Sequence, residues 1–292
     1  MPVESPIVVL DSGLGGLTVA RRLRAALPND DILYFGDTAR LPYGSKSAAT
    51  VTGFVRQIIN YLLPFGPKHV VLACNTATAL ALTSIRAEFA GLSISGVIEP
   101  GAKAAVEAAG PREVPVIGVM ATEATVRSKA YDRAILRRRH HARVLLQAAP
   151  LLVPIIEEGR RSDDPLVRLA LQQYLRPLLE RDMHVLVLGC THYPLIREAI
   201  IEETGSKVAV IDSAEQCAQD VVRRLKLRGL MRGAIAGAAG KAGRLRCFVT
   251  DDSSRFAKLA SRFMGIEVEP PTWVAPDELY AEPGPLPLRR PA

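Results

Sequence analysis

Short apolar runs rich in Val, Ile and Leu recur along this chain, and most are followed by a stretch in which apolar positions return every three to four residues. Ile7-Val8-Val9-Leu10 reads as a strand, and after a glycine-rich turn Leu17 to Ala26 reads as a helix. The alternation continues with strands at 32–35, 69–73 and 94–98 and helices at 47–63 and 76–89. It then restarts, with strands at 116–120, 144–147, 185–188 and 208–211 and helices at 123–138, 165–181, 194–203 and 214–226. Strands that are apolar throughout are buried on both faces, and the intervening helices supply the cover. The pattern therefore predicts an α/β fold with mainly parallel sheets flanked by helices.

The restart near residue 99 reads as a degenerate internal repeat. Val71-Leu72-Ala73-Cys74-Asn75-Thr76 is echoed by Val187-Leu188-Gly189-Cys190-Thr191-His192, about one domain length later. In each copy a cysteine stands just past a buried strand and just before a helix. Two similar α/β domains follow, the first built from residues 1–98 and 211–270 and the second from 99–210, with Leu245 to Val249 as a late strand returning to the first. Residues 228–244 are rich in Gly and Ala and read as a flexible excursion. Residues 271–292, with many prolines and no period, read as an irregular C-terminal tail.

Composition narrows the class. The chain has 292 residues, 48% of them apolar and only 5% aromatic, so a sizeable core must be mostly aliphatic. Met1-Pro2-Val3-Glu4-Ser5-Pro6 has no basic stretch before an apolar one and does not read as a secretory signal. No apolar run reaches the roughly 18 residues of a membrane span. The four cysteines form no CxxC pair and show no metal-ligand spacing, so reduced thiols in the cytoplasm are the natural reading. The net charge of +7 suits an acidic ligand or nucleic acid, with basic residues gathered at 133–143 and 223–246. Neither stretch interleaves the aromatics that stack bases, so solvated helix faces are the plainer account and nucleic-acid binding a secondary one.

Ligands of open parallel sheets bind outside the carboxyl ends of the strands, where Asp11, Ser12, Asp37, Cys74 and Cys190 all fall. A free thiol has a pKa of about 8.5, and a helix start favours its thiolate, so a mildly lowered value is expected at Cys74 and Cys190. Most free cysteines are merely small buried hydrophobes. Matched strand-end positions, each followed by polar donors, set these two apart. Cys217 lines up with Ala214, Ala218, Val221 and Leu225 on one helix face, and Cys247 lies in a strand, so both are assigned to the core. Inverting a stereocentre without a cofactor needs a base on one face of a carbon and an acid on the other. One thiolate and one thiol on opposed domains meet that need.

Other polar groups keep two readings. Asp11-Ser12-Gly13-Leu14-Gly15-Gly16 carries Thr18 where a dinucleotide fingerprint needs its third glycine, and no GKS or GKT follows. The turn still presents backbone N–H groups suited to a carboxylate, and Asp11 reads alternatively as a helix cap. Asp212-Ser213 reads more simply as a cap. Pro42-Tyr43-Gly44-Ser45 offers donors or is an ordinary turn. His192 reads as a proton partner of Cys190 or of a substrate ammonium, or as a first-turn residue. Glu157 reads from spacing alone as a solvated acid.

At these motifs the sequence resembles the glutamate racemases of the aspartate/glutamate racemase superfamily. The matching stretches are Leu10-Asp11-Ser12-Gly13-Leu14-Gly15-Gly16-Leu17, Tyr34-Phe35-Gly36-Asp37 through Pro42-Tyr43-Gly44, Ala73-Cys74-Asn75-Thr76-Ala77-Thr78 and Leu188-Gly189-Cys190-Thr191-His192-Tyr193-Pro194. The resemblance covers roughly residues 5–270. It implies cofactor-independent interconversion of L- and D-glutamate, with no metal, in the bacterial cytoplasm, supplying peptidoglycan. It also implies two α/β domains with the active site in the cleft between them, commonly in a homodimer. Cys74 and Cys190 match the acid–base pair, and Asp11, Glu157 and His192 match the polar residues that assist them. Asp11 and Ser12, Pro42 with Tyr43 and Gly44, Asn75 and Thr76, and Thr191 and His192 match substrate-binding positions. Related aspartate racemases share the paired cysteines but generally lack the Asp-Ser-Gly-x-Gly-Gly opening, and stand as the alternative.

Overall fold

The computed structural model describes residues 2–232 and 242–280. The chain runs β1 (Ile7–Asp11), α1 (Leu17–Ala26), β2 (Ile32–Gly36), α2 (Ala48–Leu62), β3 (His69–Leu72), α3 (Asn75–Glu88), β4 (Ile94–Gly96) and α4 (Ile98–Ala108). It continues with β5 (Val116–Ala121), α5 (Glu123–Ser128), α6 (Ala130–Leu136), β6 (Arg143–Ala148), α7 (Leu152–Glu157), α8 (Pro165–Leu179), β7 (Val185–Gly189), α9 (Arg197–Thr204) and β8 (Ala209–Asp212). It closes with α10 (Ser213–Leu227), β9 (Leu245–Val249), α11 (Ser253–Met264) and β10 (Thr272–Trp273).

Two sheets result. The first has the order β10-β9-β2-β1-β3-β4 and the second β6-β5-β7-β8. Among the described residues every strand pairing is parallel. All five residues of β1, β2 and β7 are buried, as continuous apolar strands covered on both faces must be. One core lies under α2 and α3, where Val8, Leu10, Leu33 and Phe35 meet Val55, Ile58 and Ala81. The other runs from the opposite face of the first sheet, past α1, α10 and α4, into the second. The α/β architecture is thus the predicted one, and β9 pairs with β2 as the late strand required.

Several expectations shift in detail. The helix expected over 123–138 is two, because Lys129 turns left-handed at φ +53° between α5 and α6. The strand expected over 94–98 stops at Gly96, and α4 begins two residues later. Pro100 lies in the first turn of α4, where no helical N–H is lost. The helices α4, α7 and α11 were not expected. β8 straddles the expected division at 210/211, so the second sheet runs to Asp212. The segment read as an irregular tail contributes β10 to the first sheet before its last residues, 281–292, pass outside the described residues. So does most of the Gly- and Ala-rich excursion, at 233–241.

Candidate active site

The carboxyl ends of β1 and β3 in one sheet, and of β5 and β7 in the other, converge on a cavity of about 370 Å³. From the first sheet come Ser12 and Gly13 after β1, and Cys74, Asn75 and Thr76 at the start of α3. From the second come Thr122 and Glu123 after β5, and Cys190, Thr191 and His192 after β7. α7 adds Val153, Pro154 and Glu157, and the turn near residue 43 adds Pro42, Gly44 and Ser45. Ten of the residues singled out in the sequence therefore share one wall: Ser12, Pro42, Gly44, Cys74, Asn75, Thr76, Glu157, Cys190, Thr191 and His192.

Cys74 caps α3, its sulfur accepting from the Ala77 N–H at 3.5 Å, while its thiol donates to Ser12 Oγ at 3.5 Å. Burial nevertheless pushes it up to about 12, and the charge of Asp11 pushes the same way against these two contacts. The expectation of a mildly lowered thiol at Cys74 is overturned. The helix start is there, but loss of solvent outweighs it. Asp11 is buried behind the wall, its Oδ2 accepting from the Gly13 N–H at 3.0 Å. It braces the turn after β1 and does not cap α1, which has Gly16 at that position. Burial raises its pKa, with His192 pulling the other way.

Cys190 Sγ lies 3.8 Å from His192 Nδ1, and His192 Nε2 lies 2.8 Å from Glu157 Oε1. Glu157 is thus no solvated acid. Its carboxylate, His192 and Cys190 form one chain. Burial opposes charge on the His192 ring, yet its bonds to Cys190 and Glu157, with their charges, push it up to about 10.

Two buried polar atoms on this network have no hydrogen-bond partner among the described residues, Asn75 Nδ2 and Asp11 Oδ1. Asn75 Oδ1 accepts from the Tyr131 hydroxyl at 2.8 Å, which fixes the amide with its N–H donors left over. An unsatisfied buried donor on a cavity wall suits a ligand acceptor such as a carboxylate.

Tyr43 turns its side chain away from the cavity. It is 1% exposed, and its hydroxyl donates to Asp37 Oδ2 rather than into the cavity. Asp37 also receives Arg40 Nε at 2.8 Å and the Thr250 hydroxyl at 3.0 Å. Asp37 therefore fastens the cavity-lining turn to β9 and stays off the wall. Asp212 caps α10 through the Ala214 N–H at 2.9 Å, as the plainer reading had it. Cys217 and Cys247 are buried in the core. In the first basic stretch, Arg137 and Arg138 both pair with Glu99, whose single carboxylate offsets one of the five arginine charges there.

Thr122, Glu123, Val153 and Pro154 were missed. The strand-end rule that found the cysteines also covers Thr122 and Glu123, after β5. Val153 and Pro154 carried no signal, since their helix was unrecognised. Thr76 Oγ1 meets Thr122 Oγ1 at 2.9 Å and Thr125 Oγ1 at 3.3 Å, so hydroxyls tie the halves together beside the cavity. Among the described residues no three His, Cys, Asp or Glu side chains converge as a metal site, and no helix is long and apolar enough to cross a membrane.

Two thiols thus face one cavity from the carboxyl ends of two parallel sheets, and comparison with known proteins gives the class. The model of the Asp/Glu/Hydantoin racemase family matches residues 17–221, and the chain belongs to that family. It is 40% identical over 265 residues to the glutamate racemase of Chlorobaculum tepidum, covering 91% of this chain and 94% of that one. Against the glutamate racemase of Neisseria meningitidis the identity is 42% over 266 residues, covering 91% and 95%. The crystal structure of the Bacillus anthracis glutamate racemase isoform RacE1 superposes with a TM-score of 0.83 at 36% identity, over 93% of this chain and 97% of that one. The Francisella tularensis glutamate racemase in complex with D-glutamate gives 0.84 at 33% identity, over 94% and 98%.

Proposed function

We propose that this chain is a cofactor-independent glutamate racemase that interconverts L- and D-glutamate through two bases, Cys74 and Cys190. The observation that carries the reading is that these thiols line one cavity, each from the carboxyl end of a strand in a different sheet. Residues 1–98 with the described residues from 213 onward, and residues 99–212, act as the two halves that clamp the substrate. Glutamate as substrate rests on the relatives' names and on the D-glutamate held by one structural neighbour. The bacterial cytoplasm, the homodimer and the supply of D-glutamate to peptidoglycan are carried over from the sequence resemblance.

In each turnover one sulfur, as thiolate, takes the α-proton from one face of the bound amino acid. The other, as thiol, returns a proton to the opposite face. Protons balance, and the enzyme ends with the two sulfurs' states exchanged. Ser12, Asn75, Thr76 and Thr191 offer hydroxyl and amide donors to the substrate carboxylates. Pro42, Tyr43 and Gly44 shape that wall, Tyr43 through its main chain only. An α-carbon is a weak acid, so a base stronger than an ordinary thiolate is useful. Burial and Asp11 give Cys74 that strength. Beside Cys190 stands His192, held by Glu157, with its Nδ1 3.8 Å from the sulfur, where it relays a proton.

Incubation of either enantiomer of glutamate in D2O tests the reading: both must gain α-deuterium as they racemise. Absence of exchange with folded protein would sink it, as would retained racemisation in Cys74→Ser or Cys190→Ser. Faster loss of circular dichroism with aspartate than with glutamate would favour the alternative substrate.

A further inference from the structure

The last helix of the described chain touches both sides of the cleft. α11 packs against α1 of the first half. Its Phe256 meets Tyr34 with ring centroids 6.0 Å apart, and the Tyr34 hydroxyl donates to Gly13 O at 2.7 Å, on the cavity-lining turn. Farther along, fully buried Phe263 stands edge-on to His192, with centroids 5.6 Å apart and planes at 89°. Arg262, beside it, reaches into the other half. Its Nη1 donates to Ile156 O at 3.2 Å and its Nη2 to Arg160 O at 2.6 Å.

These two carbonyls bracket Glu157. Ile156 precedes it in α7, and Arg160 lies in the turn that follows. Ile156 O already accepts from the Gly159 N–H at 3.0 Å, and the guanidinium adds a charged donor at this helix end, where a cation is favoured by the helix dipole. A planar guanidinium reaches two carbonyls at once, which an ammonium at the same place does not. Gly159 stands between them at φ +97°, a conformation that lets the turn fold back, with Arg262 Nη1 3.5 Å from where its Cβ would be.

We propose that Arg262 is a positioning residue for the Glu157–His192 pair: from the first half it clamps the turn that carries Glu157, while its neighbour Phe263 backs the His192 ring. The carboxylate–imidazole bond is then set only when the two halves are docked, so assembly of the acid–base chain at Cys190 is tied to closure of the cleft. The effect on turnover rests on the two-thiol reading; the effect on the pair itself does not.

The test is a double-mutant cycle between Arg262→Met, which keeps the aliphatic stem, and Glu157→Gln, with kcat and KM followed for both enantiomers. Because α7 loses its clamp and Glu157 drifts, Arg262→Met is expected to lower kcat by about 10- to 100-fold with a smaller change in KM. In the Glu157→Gln background the same change is expected to cost less than about 2-fold, since the group it positions is gone. Arg262→Lys, with one carbonyl still in reach, is expected to recover part of the loss. A second readout is independent of turnover. The His192 ring 15N signals of Arg262→Met should move toward those of Glu157→Gln while urea unfolding stays cooperative. Independent, multiplicative losses in the cycle, or unmoved ring signals in a folded variant, overturn the inference. Wild-type protein that fails to racemise glutamate would instead overturn the proposed function, and the ring signals would still judge Arg262. If Arg262→Met does not fold, the Lys variant carries both readouts.

Discussion

Gly15 offers a sharp test of how closely the two halves must meet. Its φ is not positive, so no unusual backbone conformation requires glycine there. Space does. A Cβ at Gly15 would lie 2.5 Å from His192 Nδ1 and 2.7 Å from His192 Cε1, with Thr191 Oγ1 closer still. Ordinary contacts between such atoms are about 3.5 Å, so His192 must retreat by roughly 1 Å. His192 is tied to Glu157 at 2.8 Å and flanked by Phe263, so it retreats only by breaking its pair or by opening the cleft. Overpacking of this kind costs about 1–3 kcal/mol, and a misplacement of about 1 Å costs on the order of 100-fold in rate. Gly15→Ala is therefore expected to fold with a modestly lower urea midpoint and to lose about 100-fold in kcat/KM for both enantiomers. The control is Gly53→Ala in α2, where a Cβ meets nothing within 4 Å. Helix propensity alone should make that change stabilising by up to about 1 kcal/mol without touching the rate. Wild-type turnover in folded Gly15→Ala would refute the claim that these glycines exist to let Thr191 and His192 close on the turn after β1.

Further outcomes follow from the buried network. His192 is pushed up to about 10, above its unfolded value of about 6.5, so its contribution is complete below pH 6.5 and is lost as pH rises toward 10. Urea unfolding at pH 6.5 and 8 should show stability falling by at most about 1.4 kcal/mol per pH unit, and Glu157→Gln should flatten that slope. His69, pushed down to about 3 by burial and by nearby Arg224 and Arg228, is neutral when folded but half protonated when unfolded at about pH 6.5, so it adds an opposing rise that fades toward pH 8 and is common to both proteins; an unchanged slope in Glu157→Gln would count against the His192 assignment. Tyr43→Phe removes a donor from the buried Asp37 carboxylate at a cost of about 1.5–3 kcal/mol. Because the turn carrying Pro42 and Gly44 loosens, KM should rise more than kcat falls, and the reverse pattern would place the Tyr43 hydroxyl in the chemistry. Pairing of Arg137 and Arg138 with Glu99 predicts weak duplex DNA binding that Glu99→Gln strengthens; fluorescence anisotropy at low salt checks it.

What the sequence made legible was position along strands. Cys74 and Cys190 stood out from Cys217 and Cys247 because each follows a buried strand, a placement that periodicity reveals; Cys74 then opens α3 as expected, whereas Cys190 is followed by a turn and a short 3-10 helix before α9 begins at Arg197. Side-chain direction was not legible. The motif around Tyr43 says nothing about which way the ring turns. The outcome depends on Asp37, six residues earlier, and on Thr250 just past β9, which only the folded sheet brings alongside. The acidity of Cys74 was half legible. Its helix start could be read, but the burial and the Asp11 charge that reverse the effect are products of tertiary packing.

The largest gap lay in α11. Phe256, Leu259, Ala260, Phe263 and Met264 recur at helical spacing, and Asp252 accepts from the Ser254 N–H at 2.9 Å as a helix-opening cap would. The pattern was present, but it follows a Gly- and Ala-rich stretch and precedes a proline-rich one, so it carried no sign of belonging to the site. Its proposed role rests on contacts distant in sequence, where Phe263 meets His192 and Arg262 meets Ile156 and Arg160. That changes the account of the cleft. The two thiols come from matching places in two similar halves, yet their supports differ. Cys74 draws on Asp11 and Ser12 from its own half, whereas the chain behind Cys190 is completed by a helix from the other. A racemase that treats two mirror-image substrates alike need not have mirror-image machinery. Under the proposed two-thiol scheme it needs two proton-transfer steps of balanced difficulty, and the two sulfurs would meet that need differently, one with burial and Asp11 behind it and the other with an imidazole held by Glu157.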